Sequence, residues 1–239
     1  MKKESKRILG IVTFFAIAMA FLETAVVIYL RYLFYPGGFA FPLKGFLNPA
    51  ILSVEWIREF ATIIMLVGIS FLAAKKFYGR LAYFLYAFAI WDIFYYIFLK
   101  LVLNWPSSFF SWDLLFLIPW PWIGPVLAPV ICSILFIIFA VRIINLEDDN
   151  KKVKLQIKEW TLFILGAILV LYSWLYDYGT IIFGGKFARS FFTLAENPQF
   201  MKVISEYSPA GYNWIIFSIG IILTIVGIGL FYTRTKKSR

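Results

Sequence analysis

The chain has 239 residues, of which 62% are hydrophobic, 21% aromatic and only 15% charged. Soluble domains carry about 25% charged residues, so a water-facing globule is excluded, as are disordered, collagen-like and disulfide-scaffold classes. The formal net charge of +10 then concerns topology relative to a membrane, and nucleic acid is not an expected partner.

A membrane helix needs about 20 mostly apolar residues. Six segments meet that requirement: 8–30, 51–74, 81–103, 125–144, 157–176 and 212–232. They predict an all-α fold, a six-helix polytopic bundle forming a single membrane domain over residues 1–239. Before the first segment stand Lys2, Lys3, Lys6 and Arg7, and Ala18-Met19-Ala20 resembles a signal-peptide cleavage site. The apolar run continues from Phe21 to Leu30, so an uncleaved first helix is expected.

Lys and Arg placement orients the bundle. With the N-terminus cytoplasmic, 16 of the 23 basic residues fall on the inner side and six on the outer, with Arg58 inside a helix. That bias predicts six helices in the cytoplasmic (inner) membrane with both termini cytoplasmic. Trp56, Trp105, Trp112, Trp120, Trp122 and Trp214 then fall near the outer boundary and Trp160 near the inner one. Interfacial indole is ordinary belt chemistry, but the asymmetry points to embedded non-helical structure on the outer side.

The outer segment 104–124 is too apolar for a free loop. Ser111 can cap a short helix over 112–118, ended by Pro119 and Pro121, with Pro125 in the first turn of the next helix. Pro129 kinks that helix unless it too lies in the first turn. The segment reads equally as a lid over a site and as an interfacial spacer. The inner stretch 146–159 carries Glu147-Asp148-Asp149 followed by four lysines and reads as a solvated turn near anionic headgroups. Asp177 ends the fifth helix in this reading. In the outer loop 177–211, Asn197-Pro198 marks an N-cap and first helical position, opening a short amphipathic helix over 199–207. No inverted repeat relates the two halves, because the acidic positions of the first three helices have no counterparts in the last three.

The chain has no histidine and one cysteine, Cys132, which reads as a packing residue. Disulfide, haem and zinc chemistry therefore have no support, and no motif calls for a cofactor or metal. What remains is intramembrane charge, which costs about 2.5–3.5 kcal/mol per residue even on lenient insertion scales. Glu23 and Arg31 lie in the outer half of the first helix. Glu55, Arg58 and Glu59 share one face of the second, at spacings of three and four. Asp92 sits near the middle of the third, followed by Tyr95, Tyr96 and Lys100, and Asp113 opens the outer segment. Glu23, Arg31, Glu55, Arg58, Glu59, Asp92, Tyr96 and Asp113 are the candidate ligand- or proton-binding residues. Acids outnumber arginines among them, which calls for protonation or a bound cation. The competing reading makes Glu55, Arg58 and Glu59 a packing salt-bridge cluster, pairs Glu23 with Arg58, and leaves Asp92 a neutral acid bonded to tyrosine.

Several stretches resemble a widespread group of uncharacterised small bacterial multi-pass membrane proteins. They are Phe21-Leu-Glu-Thr-Ala-Val-Val-Ile-Tyr-Leu-Arg31, Tyr35-Pro-Gly-Gly-Phe39, Arg58-Glu-Phe-Ala-Thr62, Trp91-Asp-Ile-Phe-Tyr-Tyr96, Asn104-Trp-Pro106, Trp112-Asp-Leu-Leu-Phe-Leu-Ile-Pro119 and Pro121-Trp-Ile-Gly-Pro-Val-Leu-Ala-Pro129. The resemblance implies a multi-pass membrane fold and no particular activity. Three functions fit the residues. The first is a small transporter or lipid- or solute-binding protein with an outward-facing acidic and arginine pocket. The second is an intramembrane enzyme using carboxylates on a lipid-linked substrate. The third is a non-catalytic subunit or assembly factor of a membrane complex.

Overall fold

A computed structural model describes residues 1–44, 48–185, 187 and 197–237. In chain order the elements are α1 (Lys3–Phe34), α2 (Pro49–Ala73), α3 (Phe77–Leu103), β1 (Trp112–Phe116), β2 (Trp122–Pro125), α4 (Leu127–Asp148), α5 (Ile157–Gly184), α6 (Pro198–Glu206) and α7 (Trp214–Lys237). Among the described residues, six of the seven helices are long and apolar enough to cross a bilayer. Their outward faces present large apolar side chains such as Phe14, Phe60, Leu72 and Ile215. Such faces are stable against lipid tails rather than water, and the protein is an integral membrane protein.

The helix boundaries follow local chemistry. The Asn48 side chain accepts hydrogen bonds from the N–H groups of Ala50 and Ile51, with Pro49 at the first helical position. Asn197 does the same for Gln199 and Phe200 at the start of α6, with Pro198 following. The short helix read at 199–207 is therefore present, shifted by one residue. A reciprocal capping box between Gln156 and Glu159 opens α5. Asn104, with φ 51°, turns the chain at the end of α3.

Helix α3 is the central element. Its Ala82, Ala87 and Ala89 are fully buried, and α1, α2 and α4 pack around it. Helices α5 and α7 form a second pair, brought together by glycine. A Cβ on Gly220 would stand 2.8 Å from the Gly166 carbonyl oxygen, so neither position has room for a side chain. At one end of the bundle the starts of α1 and α5 meet the ends of α4 and α7. There Ser5 donates to Asp148 and Arg234 to Glu159. The other end carries the hairpin β1–β2.

That hairpin corrects the expectation of a helix over 112–118. Antiparallel pairing sets Trp112 opposite Pro125, Asp113 opposite Gly124 and Leu114 opposite Ile123, with an irregularity before Phe116 pairs with Trp122. A seven-residue helix would leave most of its terminal N–H and C=O groups unpaired. Strand pairing satisfies them, and Pro119 and Pro121 fit the turn. The fold remains a mostly helical bundle, as expected, to which the hairpin adds a small two-stranded sheet. Pro125 closes β2 instead of starting a helix. Pro129 falls in the first turn of α4, where it removes no intrahelical bond. The spans are also longer than read: α1 starts at Lys3, α4 runs to Asp148, and α5 passes Asp177 to end at Gly184. The stretch 146–159 is not simply a solvated turn. Leu155 is buried with its N–H donated to the Tyr78 hydroxyl, and Glu159 is 2% exposed. Lys186 and Arg189, counted on the outer side, lie outside the described residues.

Candidate functional site

All eight residues singled out from the sequence line one cavity of about 620 Å³. It begins under the hairpin, where Arg31, Tyr96 and Asp113 form its wall, and passes Glu23, Glu55, Arg58, Glu59 and Asp92. It continues as an apolar channel between α3, α4 and α5, past Leu85, Phe88, Phe136 and Phe163. Ile164 on α5 also lines the channel and is 52% exposed.

Three charge groups occupy the polar end. The first is centred on Arg58, one turn along α2 from Glu55. Its Nε and Nη2 donate to Glu55 Oε2 at 2.9 and 2.7 Å, and its Nη1 donates to Glu23 on α1. The pairing of Glu23 with Arg58, which belongs to the competing structural reading, is present, and it ties α1 to α2. The second group is Arg31 with Asp113, 3.0 Å apart and both buried. The Arg31 guanidinium also lies between two rings, 3.8 Å from the Trp105 centroid and 4.4 Å from that of Phe39. Burial pushes the Asp113 carboxyl up to about 6, against the opposing pull of Arg31, the Leu114 N–H and Tyr96.

The third group comprises two acids without a cation. Glu59 accepts from the Leu117 backbone N–H at 2.8 Å. Asp92 accepts from the Ser133 hydroxyl at 2.8 Å, not from a tyrosine. Neither forms an ion pair among the described residues. Asp113 and Leu117 both belong to the hairpin segment, so the same contacts that occupy Arg31 and Glu59 fasten the hairpin across α1 and α2.

Sequence reasoning missed the partners more than the charges. Ser133 is the lone hydroxyl in the apolar part of α4, a signal that was available. The Leu117 N–H is a backbone group and carries no signature. The stacking of Arg31 on Phe39 and Trp105 depends on two loops folding back over α1. Cys132, beside Ser133, is a free thiol that lines the cavity as well as packing in the helix interface. No group of three or more His, Cys, Asp or Glu suited to a metal ion occurs among the described residues. No family model, curated protein or solved structure matches the chain.

Proposed function

We propose that this protein binds an amphiphilic molecule within the bilayer and serves as a small lipid transporter or lipid-binding membrane protein. The supporting observation is a cavity charged at its hairpin end and apolar along its length. Its volume falls within the range of about 300–1,000 Å³ usual for small-molecule sites. A headgroup would rest among Glu23, Arg31, Arg58, Glu59 and Asp92. An acyl or prenyl chain would lie along the channel and enter past α5 near Ile164. The excess of Lys and Arg at the terminal end supports an inner-membrane orientation, with both termini cytoplasmic and the hairpin outside.

Narrowing the channel tests this reading. Ala167 lines it on α5, and Ala167→Trp would fill it without touching the charged end. Native mass spectrometry of the full chain with added dodecyl-chain lysophospholipid should show a bound adduct in the wild type and at least a tenfold weaker one in Ala167→Trp. Equal binding would remove the cavity from the function.

The ion pairs of the polar end also favour a second, structural role. Glu23–Arg58–Glu55 and Arg31–Asp113 hold α1, α2 and the hairpin together whether or not anything is bound.

A further inference from the structure

The charge balance and hydrogen-bond accounting of the polar end define the headgroup. Five carboxylates line the cavity, namely Glu23, Glu55, Glu59, Asp92 and Asp113, against two guanidinium groups, Arg31 and Arg58. Arg58 is fully engaged by Glu23 and Glu55. Glu59 and Asp92 each receive one neutral donor and no cation. A carboxylate in such surroundings is stabilised by a positive charge brought in from outside the protein.

Donors lining the cavity also lack partners. Arg31 is 6% exposed, and its Nε and Nη1 make no hydrogen bond among the described residues. Trp91, 7% exposed and adjacent to Asp92 in the chain, also lines the cavity. Its indole N–H has no acceptor among the described residues. Buried donors are nearly always satisfied in folded proteins, so the orphaned N–H groups of Arg31 and Trp91, and those of Trp122 and Trp174 that line the same cavity, point to an acceptor that the described residues do not supply.

We infer that the cavity takes an amphiphile with a zwitterionic headgroup, an ammonium joined to an oxyanion such as phosphate. The inference rests on the amphiphile-binding reading above. The ammonium sits against Asp92, and the oxyanion receives Arg31 and the Trp91 N–H. The headgroup adds no net charge to a site already rich in carboxylate, while each of its halves meets the group that lacks a partner. A purely anionic headgroup would face surplus carboxylates, and a simple amine would leave the arginine and indole donors unmatched.

The test compares four single-chain probes on the full-length protein by native mass spectrometry. They are lysophosphatidylethanolamine, lysophosphatidylglycerol, monoacylglycerol and dodecylamine. Lysophosphatidylethanolamine should bind about tenfold or more tightly than each of the others, as expected for one charge-assisted contact at either end. Asp92→Asn should abolish its advantage over lysophosphatidylglycerol. Arg31→Gln should abolish its advantage over dodecylamine. Should Arg31→Gln not fold, Trp91→Phe keeps the ring and removes the donor, and is expected to reduce the same advantage. Equal binding of all four probes would overturn the headgroup assignment and leave amphiphile binding standing. Dodecylamine binding as well as lysophosphatidylethanolamine would overturn the oxyanion half. Binding of none would overturn both.

Discussion

The two ends of the bundle hold buried charge in opposite ways. At the terminal end, Glu159 meets Arg234 one to one. Arg234 Nε and Nη2 donate to the two carboxylate oxygens, each at 2.8 Å, and the Gln156 N–H donates to Oε2 as well. Every oxygen is satisfied, and neither residue lines the cavity. At the hairpin end, five acids share two arginines, two acids have only neutral donors, and all seven line the cavity. The same residue types thus make a helix-to-helix lock at one end and an incompletely matched, cavity-facing set at the other. What separates a structural pair from a receptive site is stoichiometry and access, not burial.

Four substitutions sharpen that contrast. The largest effect is expected from Arg58→Gln, which strands Glu23 and Glu55 as buried, unpaired acids. It should cost about 3–5 kcal/mol, read as a large drop in apparent melting temperature in detergent. Glu159→Gln at the opposite end should cost about 2–3 kcal/mol, less because the Arg234 side chain is 34% exposed and can turn to solvent. Ligand binding should be unchanged, since the pair lies outside the cavity.

Asp113 gives a pH-dependent effect. Its folded value of about 6 lies above its ordinary 3.8, so the folded state takes up a proton first as pH falls. Stability of the wild type relative to Asp113→Asn should then be flat above about pH 7. It should rise as pH drops from about 6 to 4, and level off below. The groups facing Asp113 are Arg31, Tyr96 and Asp92. A stability difference that falls over that window would contradict the burial of its carboxyl. The smallest effect is expected from Asp92→Asn, which keeps the Ser133 contact and removes an unmatched charge. It should change stability by no more than about 1 kcal/mol.

The sequence disclosed the six spans because apolar length is a direct consequence of bilayer thickness. It disclosed Glu23, Arg58, Asp92 and their neighbours because charge in an apolar run is costly enough to stand out. The Glu23–Arg58 contact belongs to the competing structural reading, which needs only opposite charges on neighbouring helices. The hairpin was not legible in the same way. Residues 112–118 are apolar enough for either helix or strand. The choice was made by pairing with 122–125, a non-local event that periodicity does not record. Once the hairpin is in place it supplies Asp113 and the Leu117 N–H, so half of the site's partners come from the element read least well. The Glu159–Arg234 lock was hidden for a related reason. Both residues sit at helix ends among lysines, and only the meeting of α5 with α7 distinguishes them from a solvated charge run.

The division of labour between the two ends is tested most directly by one paired measurement. It determines lysophosphatidylethanolamine affinity and melting temperature together for wild type, Asp92→Asn and Glu159→Gln. The expected result is a crossed pattern, in which Asp92→Asn loses about tenfold in affinity with its melting temperature nearly intact, and Glu159→Gln loses stability while binding as the wild type does. Unchanged affinity in Asp92→Asn, or parallel losses in both variants, would contradict a receptive hairpin end and a purely structural terminal end.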